Sequence, residues 1–144
     1  MSCELRDSSD HTFEGQPYRS LKVYQKAYAV SLEIYRVSTS FPKEERFGII
    51  DQIKKASTSV CANIAEGYGR QISSDADFKR FLIIAKGSCM EMGVWIDYCK
   101  DLNFIDHDLY SKWRQEYIEI SKMLFSLIKN LESRNSQLAT RNLT

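Results

Sequence analysis

Four cysteines, Cys3, Cys61, Cys89 and Cys99, and two histidines, His11 and His107, are the side chains of this chain best suited to nucleophilic or metal chemistry. Their spacing assembles no such site. A helical di-iron centre needs Glu-x-x-His pairs, and neither histidine stands in one. No CxxC pair is present, and a chain of 144 residues is not a small disulfide-held scaffold. Cys61, Cys89 and Cys99 fall in apolar helical stretches, so they are expected to be buried small hydrophobes. A nucleophile needs a base within reach, and no histidine shares their stripe. Glu66 and Glu91 are the acids set among apolar helical positions. Glu66 lies four residues before Arg70, the spacing of a helix-surface pair. The expectation is no catalytic residue, no metal, no cofactor and no enzymatic activity.

Binding chemistry has more to work with. Gly67-Tyr68-Gly69-Arg70 precedes a new helix, where glycine amides and an arginine can hold a phosphate. The spacing and lysine of a P-loop are absent, so a tight turn is the competing reading. Lys54, Lys55, Arg70, Lys79, Arg80 and Lys86 form the candidate nucleic-acid-binding set. Lys79 and Lys86 are two helical turns apart and share a face. Against this stand Asp51 and Asp75, each four residues before a lysine and able to pair with it. Net charge is +1, so RNA binding would need a local patch. Three tyrosines of the first helix, Tyr24, Tyr28 and Tyr35, suggest either stacking or packing; their spacing favours packing.

The elements that position these residues are helical throughout. Residues 51–70 carry a seam of Ile53, Ser57, Val60, Ile64 and Gly67, continuing from Ile50. Ala56, Ser59, Ala62 and Ala65 beside it admit a close partner backbone, with Asn63 among them. Helices are expected over 18–38, 43–67, 74–101 and 106–132. Pro42 ends the first, and Gly67 and Gly69 end the second in a left-handed turn. Ser74 with Asp77 caps the third, and Asp106 caps the fourth. Tyr110, Trp113, Tyr117, Ile120, Leu124, Leu127 and Leu131 give the fourth an unbroken seam. Residues 1–17 are expected to be a mobile arm and 133–144 a disordered tail. The fold class is all-α, an antiparallel up-down four-helix bundle. Apolar and small residues cover more than one face of the second and third helices, so self-association is expected. No run of about 18 apolar residues and no signal peptide are visible, so a cytoplasmic protein is expected, with no membrane contact.

Several segments carry a family resemblance. Ser59 through Arg70 (SVCANIAEGYGR), Leu21 through Ala27, Phe41 through Glu45, Gln52 through Ala56 and Asp77 through Ser88 occur in register across roughly residues 20 to 130. Together they resemble the four-helix-bundle proteins encoded in intervening sequences of 23S ribosomal RNA genes, relatives of the accessory variability determinant of diversity-generating retroelements. Cys61 replaces that family's usual Pro, Gly93 a common Glu, and Lys54-Lys55 a more usual Arg pair. The resemblance implies a homopentameric ring. It also implies an adaptor for RNA or a nucleic-acid-processing protein. Asn63, Glu66, Gly67 and Gly69 are its motif and packing residues. A protein-interaction scaffold without nucleic acid is the alternative.

Overall fold

The computed structural model describes residues 17–71 and 74–142. Four α-helices account for most of them: α1 (Lys22–Ser38), α2 (Ile49–Arg70), α3 (Asp75–Asp101) and α4 (His107–Asn142), with no strand among the described residues. Short 3-10 turns, Pro17–Ser20 and Lys43–Glu45, precede α1 and α2.

The helix boundaries follow local chemistry. Leu21 is extended (φ −71°, ψ 123°), which separates the Pro17 turn from α1 and moves the helix start from 18 to Lys22. Gly48 (φ −105°, ψ −114°) does the same before α2, which begins at Ile49 rather than 43. At its far end α2 runs through Gly67 and Gly69 to Arg70, and no described glycine has positive φ. The expected left-handed stop after residue 67 is therefore incorrect; the glycines are helical. The Ser74 hydroxyl accepts the Asp77 amide at 3.2 Å, and Asp106 Oδ1 accepts the Leu109 amide at 2.8 Å. Asn103 (φ 62°) closes α3, its amide on Lys100 O and that of Phe104 on Cys99 O, a Schellman pattern. Beyond residue 132, α4 continues to Asn142 instead of becoming a disordered tail. That segment has neither Gly nor Pro, and Arg134 pairs with Asp75 at 3.5 Å. The N-terminal arm lies outside the described residues, apart from Pro17.

Cross-helix contacts fix the topology. Ser31 meets Ser57 and Tyr35 meets Lys54; Ser59 meets Ser88 and Gly67 meets Phe81; Asp75 meets Arg134 and Lys86 meets Phe125; Lys26 meets Glu119 and Glu33 meets Lys112. Each sequential pair, and α1 with α4, is thus antiparallel around one core. Ile34, Ile53, Val60, Ile64, Leu82, Met92, Ile96, Trp113, Ile120 and Leu124 are fully buried there. In α1 the core face is Val23, Ala27, Val30 and Ile34; Tyr24 and Tyr28 stack at its margin, and Tyr35 is exposed.

Two features make the packing specific. A Cβ on Gly67 would stand 2.7 Å from Phe81 Cβ and 3.3 Å from Phe78 O, so α2 and α3 touch nearly backbone to backbone. On the opposite side, Glu33 of α1 accepts from Trp113 Nε1 (2.8 Å) and Lys112 Nζ (2.7 Å) of α4. Burial pushes the Glu33 carboxyl up. The Lys112 and Trp113 hydrogen bonds outweigh that and hold it below the usual carboxylate value.

Gly67→Ala is expected to lower stability by about 1–3 kcal/mol despite Ala's better helix propensity. Gly69→Ala, with nothing within 4 Å, should cost nothing in the same thermal melts. The depressed Glu33 pKa stabilises the fold above the ordinary value of 4.5, and that contribution disappears as pH falls through the lower folded value. Melting temperature should therefore drop as pH falls from 4.5 through the lower folded value, and less steeply in Glu33→Gln.

Candidate nucleic-acid interface

The six candidate cations separate into distinct places. Lys54 lies over the Tyr35 ring (4.7 Å to the centroid) and Lys55 pairs with Asp51 at 2.9 Å, both in the first half of α2. Arg70 is fifteen residues further on, roughly 22 Å along the helix. It reaches Glu66 at 3.4 Å and lies 5.7 Å from the Phe81 ring centroid. Arg80 sits 5.2 Å from that centroid and 3.4 Å from Asp77. Lys79 and Lys86 both turn toward α4, Lys79 onto Glu132 at 3.1 Å and Lys86 over the Phe125 ring at 4.9 Å. Arg70 and Arg80 thus converge on Phe81, while Lys54 and Lys55 stand apart from both other groups.

The Gly67–Arg70 phosphate cradle does not form, because these residues belong to α2 and its hydrogen-bonded backbone. The motif instead serves helix packing. Asn63 Nδ2 donates to Ser59 O (2.8 Å) and Ser59 Oγ (3.1 Å), and Ser59 Oγ is 2.9 Å from Ser88 Oγ of α3. Gly67 supplies the close approach, Glu66 pairs with Arg70, and Gly69 faces open space.

A groove between α3 and α4 joins Lys86 to residues absent from the sequence-derived set. Lys86, Ile118, Ser121, Lys122, Phe125 and Ser126 line a cleft of about 470 Å³. Through Ile118 and Ser121 it continues into a second cleft of about 270 Å³ beside Met90, Gly93, Arg114 and Tyr117. Arg114 Nη1 lies 2.9 Å from where a Gly93 Cβ would stand, so the missing side chain makes room for the guanidinium. Lys129 also reaches the Phe125 ring (5.4 Å) and shares Glu132 with Lys79. No ion pair involves Lys86, Lys122 or Arg114 among the described residues. The signal was present in the sequence: Phe125 is off the α4 seam, with Lys122 and Lys129 at i−3 and i+4.

The remaining reactive side chains are inside. Burial pushes the thiols of Cys61, Cys89 and Cys99 each up to about 12. The Tyr117 hydroxyl is buried with no hydrogen-bond partner, and desolvation raises its pKa. Glu91 accepts from the Trp95 indole at 3.1 Å. Among the described residues, no group of three or more His, Cys, Asp or Glu could hold a metal, and no helix is long and apolar enough to cross a membrane.

The model of the 23S rRNA-intervening sequence protein family matches residues 19–126, spanning α1 to α3 and most of α4. The chain belongs to that family. It is also similar in structure to a protein of unknown function from the S23 ribosomal protein family of Bacteroides thetaiotaomicron. That likeness has a TM-score of 0.65 and 29% identity, covering 74% of this chain and 98% of the other. No curated protein matches. In this member of the 23S rRNA-intervening sequence family, the signature around Asn63 and Gly67 lies at the α2–α3 contact, away from the α3–α4 groove.

Cys61, Cys89 and Cys99 should resist a thiol-specific reagent at pH 8 in the folded protein, because almost none of each is thiolate there. Rapid labelling of any of the three without denaturant, mapped by mass spectrometry, would contradict this burial.

Proposed function

We propose that this family member is a non-enzymatic, self-associating helical bundle that binds RNA through the cationic margins of α3, acting as an adaptor in the cytoplasm. The observation that carries the reading is the double-sided character of α3. Its inner face fills the core. Its outer face presents Ile83, Met90, Val94 and Tyr98, each at least half exposed, around Gly87, which has open space above it. An apolar stripe of this length on a single chain is an association surface, and a central glycine lets a second copy's helix approach closely.

Cations flank the stripe on both sides. Arg70 and Arg80 lie on the α2 side, Lys86 and Lys122 on the α4 side. Assembly through the stripe repeats these margins around an axis. A modest patch per chain then becomes one concentrated field, although each chain carries only +1. A ring of five is the stoichiometry we assign, following the family resemblance, and the likeness to the retroelement accessory protein supplies the partner class.

A second reading has its own support. Lys55, Arg70, Lys79 and Arg80 are already paired with carboxylates, which suits a protein-binding scaffold whose charges only solvate it. A nuclease-insensitive protein partner together with no RNA affinity would select it.

The purified chain should have the mass of an oligomer by light scattering. Met90→Glu with Val94→Glu should reduce that mass to a monomer's while helical circular dichroism persists. RNA affinity should fall steeply with salt, and Arg80→Glu or Lys86→Glu should lower the slope. A wild-type monomer, or indifference to RNA at low salt, would sink the reading.

A further inference from the structure

We infer that Phe125 is a stacking platform for an unpaired RNA base, so that the α3–α4 groove takes single-stranded rather than duplex RNA. This rests on the RNA reading above and adds the strand form and the contact. Phe125 is 47% exposed and stands outside the hydrophobic core cluster. The ring is therefore spared from the interior, and its exposure is not explained by packing within the chain. Two ammonium groups lie over it, Lys86 at 4.9 Å and Lys129 at 5.4 Å from the centroid. Lys122, Ser121 and Ser126 line the same groove, and no carboxylate does. Two acids stand beside this group: Glu132, 3.5 Å from Lys129 and already shared with Lys79, and Glu119, which is held by Lys26 and feels the Lys122 charge.

The arrangement matches the chemistry of a single strand. Exposed lysine–aromatic contacts are weak and exchange readily for charge-assisted contacts to phosphate. Moving the ammonium groups onto a backbone uncovers the ring for a base. In a duplex the base faces are already stacked on one another, so only an unpaired base can use the ring. The serine hydroxyls and Lys122 are placed along the groove for backbone contacts, which carry no sequence preference. Phe81, bracketed by Arg70 and Arg80, has a similar pair of cations. Its Cβ packs on Gly67, however, so its substitution would confound binding with folding.

The test compares the full chain with Phe125→Ala, Phe125→Trp, Lys86→Ala and Lys129→Ala. The probes are a labelled oligouridylate, a duplex RNA of equal length and oligodeoxythymidylate, each titrated across a salt series with oligomer mass measured in parallel. Phe125→Ala should weaken oligouridylate binding about fivefold or more, and leave duplex affinity and mass unchanged. Phe125→Trp should restore binding, with tryptophan emission quenched by the single strand and not by the duplex. Either lysine variant should reduce the salt slope by about 0.7 for the single strand. An unchanged affinity in Phe125→Ala, or equal losses on single strand and duplex, overturns the stacking assignment while leaving the RNA reading standing. A changed mass in Phe125→Ala assigns the ring to a subunit contact and also overturns it. Much tighter binding of the deoxy strand removes RNA as the occupant. Failure of the wild-type chain to bind any probe removes the RNA reading itself.

Discussion

The close approach of α2 to α3 at Gly67 is the constraint from which the rest of the architecture follows. Phe81 Cβ lies where any larger residue on α2 would need space. Ser59, Ser88 and Asn63 then tie the same two helices by side-chain hydrogen bonds two turns away. Helices brought this near have little rotational freedom, because close-packed interiors do not deform smoothly. The α2–α3 pair is thereby a rigid half, against which α1 and α4 close the core. The Glu33 carboxylate, held by Lys112 and Trp113, latches those two together on the opposite side.

Rigid placement of α3 has a consequence for its other face. With Leu82, Ala85, Cys89, Met92 and Ile96 committed inward, Ile83, Met90, Val94 and Tyr98 are left facing out. The helix cannot rotate to hide both sets. Apolar surface of this kind is relieved by another protein surface. The same geometry distributes the cations: α2 contributes Arg70 beside Arg80 of α3 on one flank, and α4 contributes Lys122 and Lys129 on the other. In the proposed assembly, association and charge presentation are therefore linked through the orientation of one helix.

The family signature acquires a physical meaning from these contacts. Asn63 caps its own preceding turn and holds Ser59 toward Ser88. Gly67 is a space requirement and not a turn. Glu66 and Gly69 are at the surface of the α2 C-terminal turns, where their roles are local. Cys61, in place of the family's usual Pro, is buried and leaves α2 an unbroken helix.

Helical periodicity, breakers and caps by themselves determined the four helices and most of the α2, α3 and α4 core positions, because a 3.6-residue repeat is a local property. The α1 core face is instead Val23, Val30 and Ile34, with Tyr35 exposed, and Ala62 of the small-residue face of α2 is exposed too. Ser74 and Asp106 were legible for the same reason: capping is settled within one turn. The α2 terminus was not, since a helical glycine and a turn glycine look alike until the distance to Phe81 is known. Nor was the helicity of residues 133–142, where aperiodic hydrophobicity marked missing core contacts rather than a missing helix. The candidate cations stand at exposed or half-buried positions, and their grouping depended on register. Arg70 and Arg80 meet at Phe81 because α2 and α3 are antiparallel, and Lys86 meets Phe125 and Lys129 only through the stagger of α4. A single chain's pattern states which face each residue occupies. Which faces confront one another is a long-range outcome of packing, and only the tertiary structure decided it.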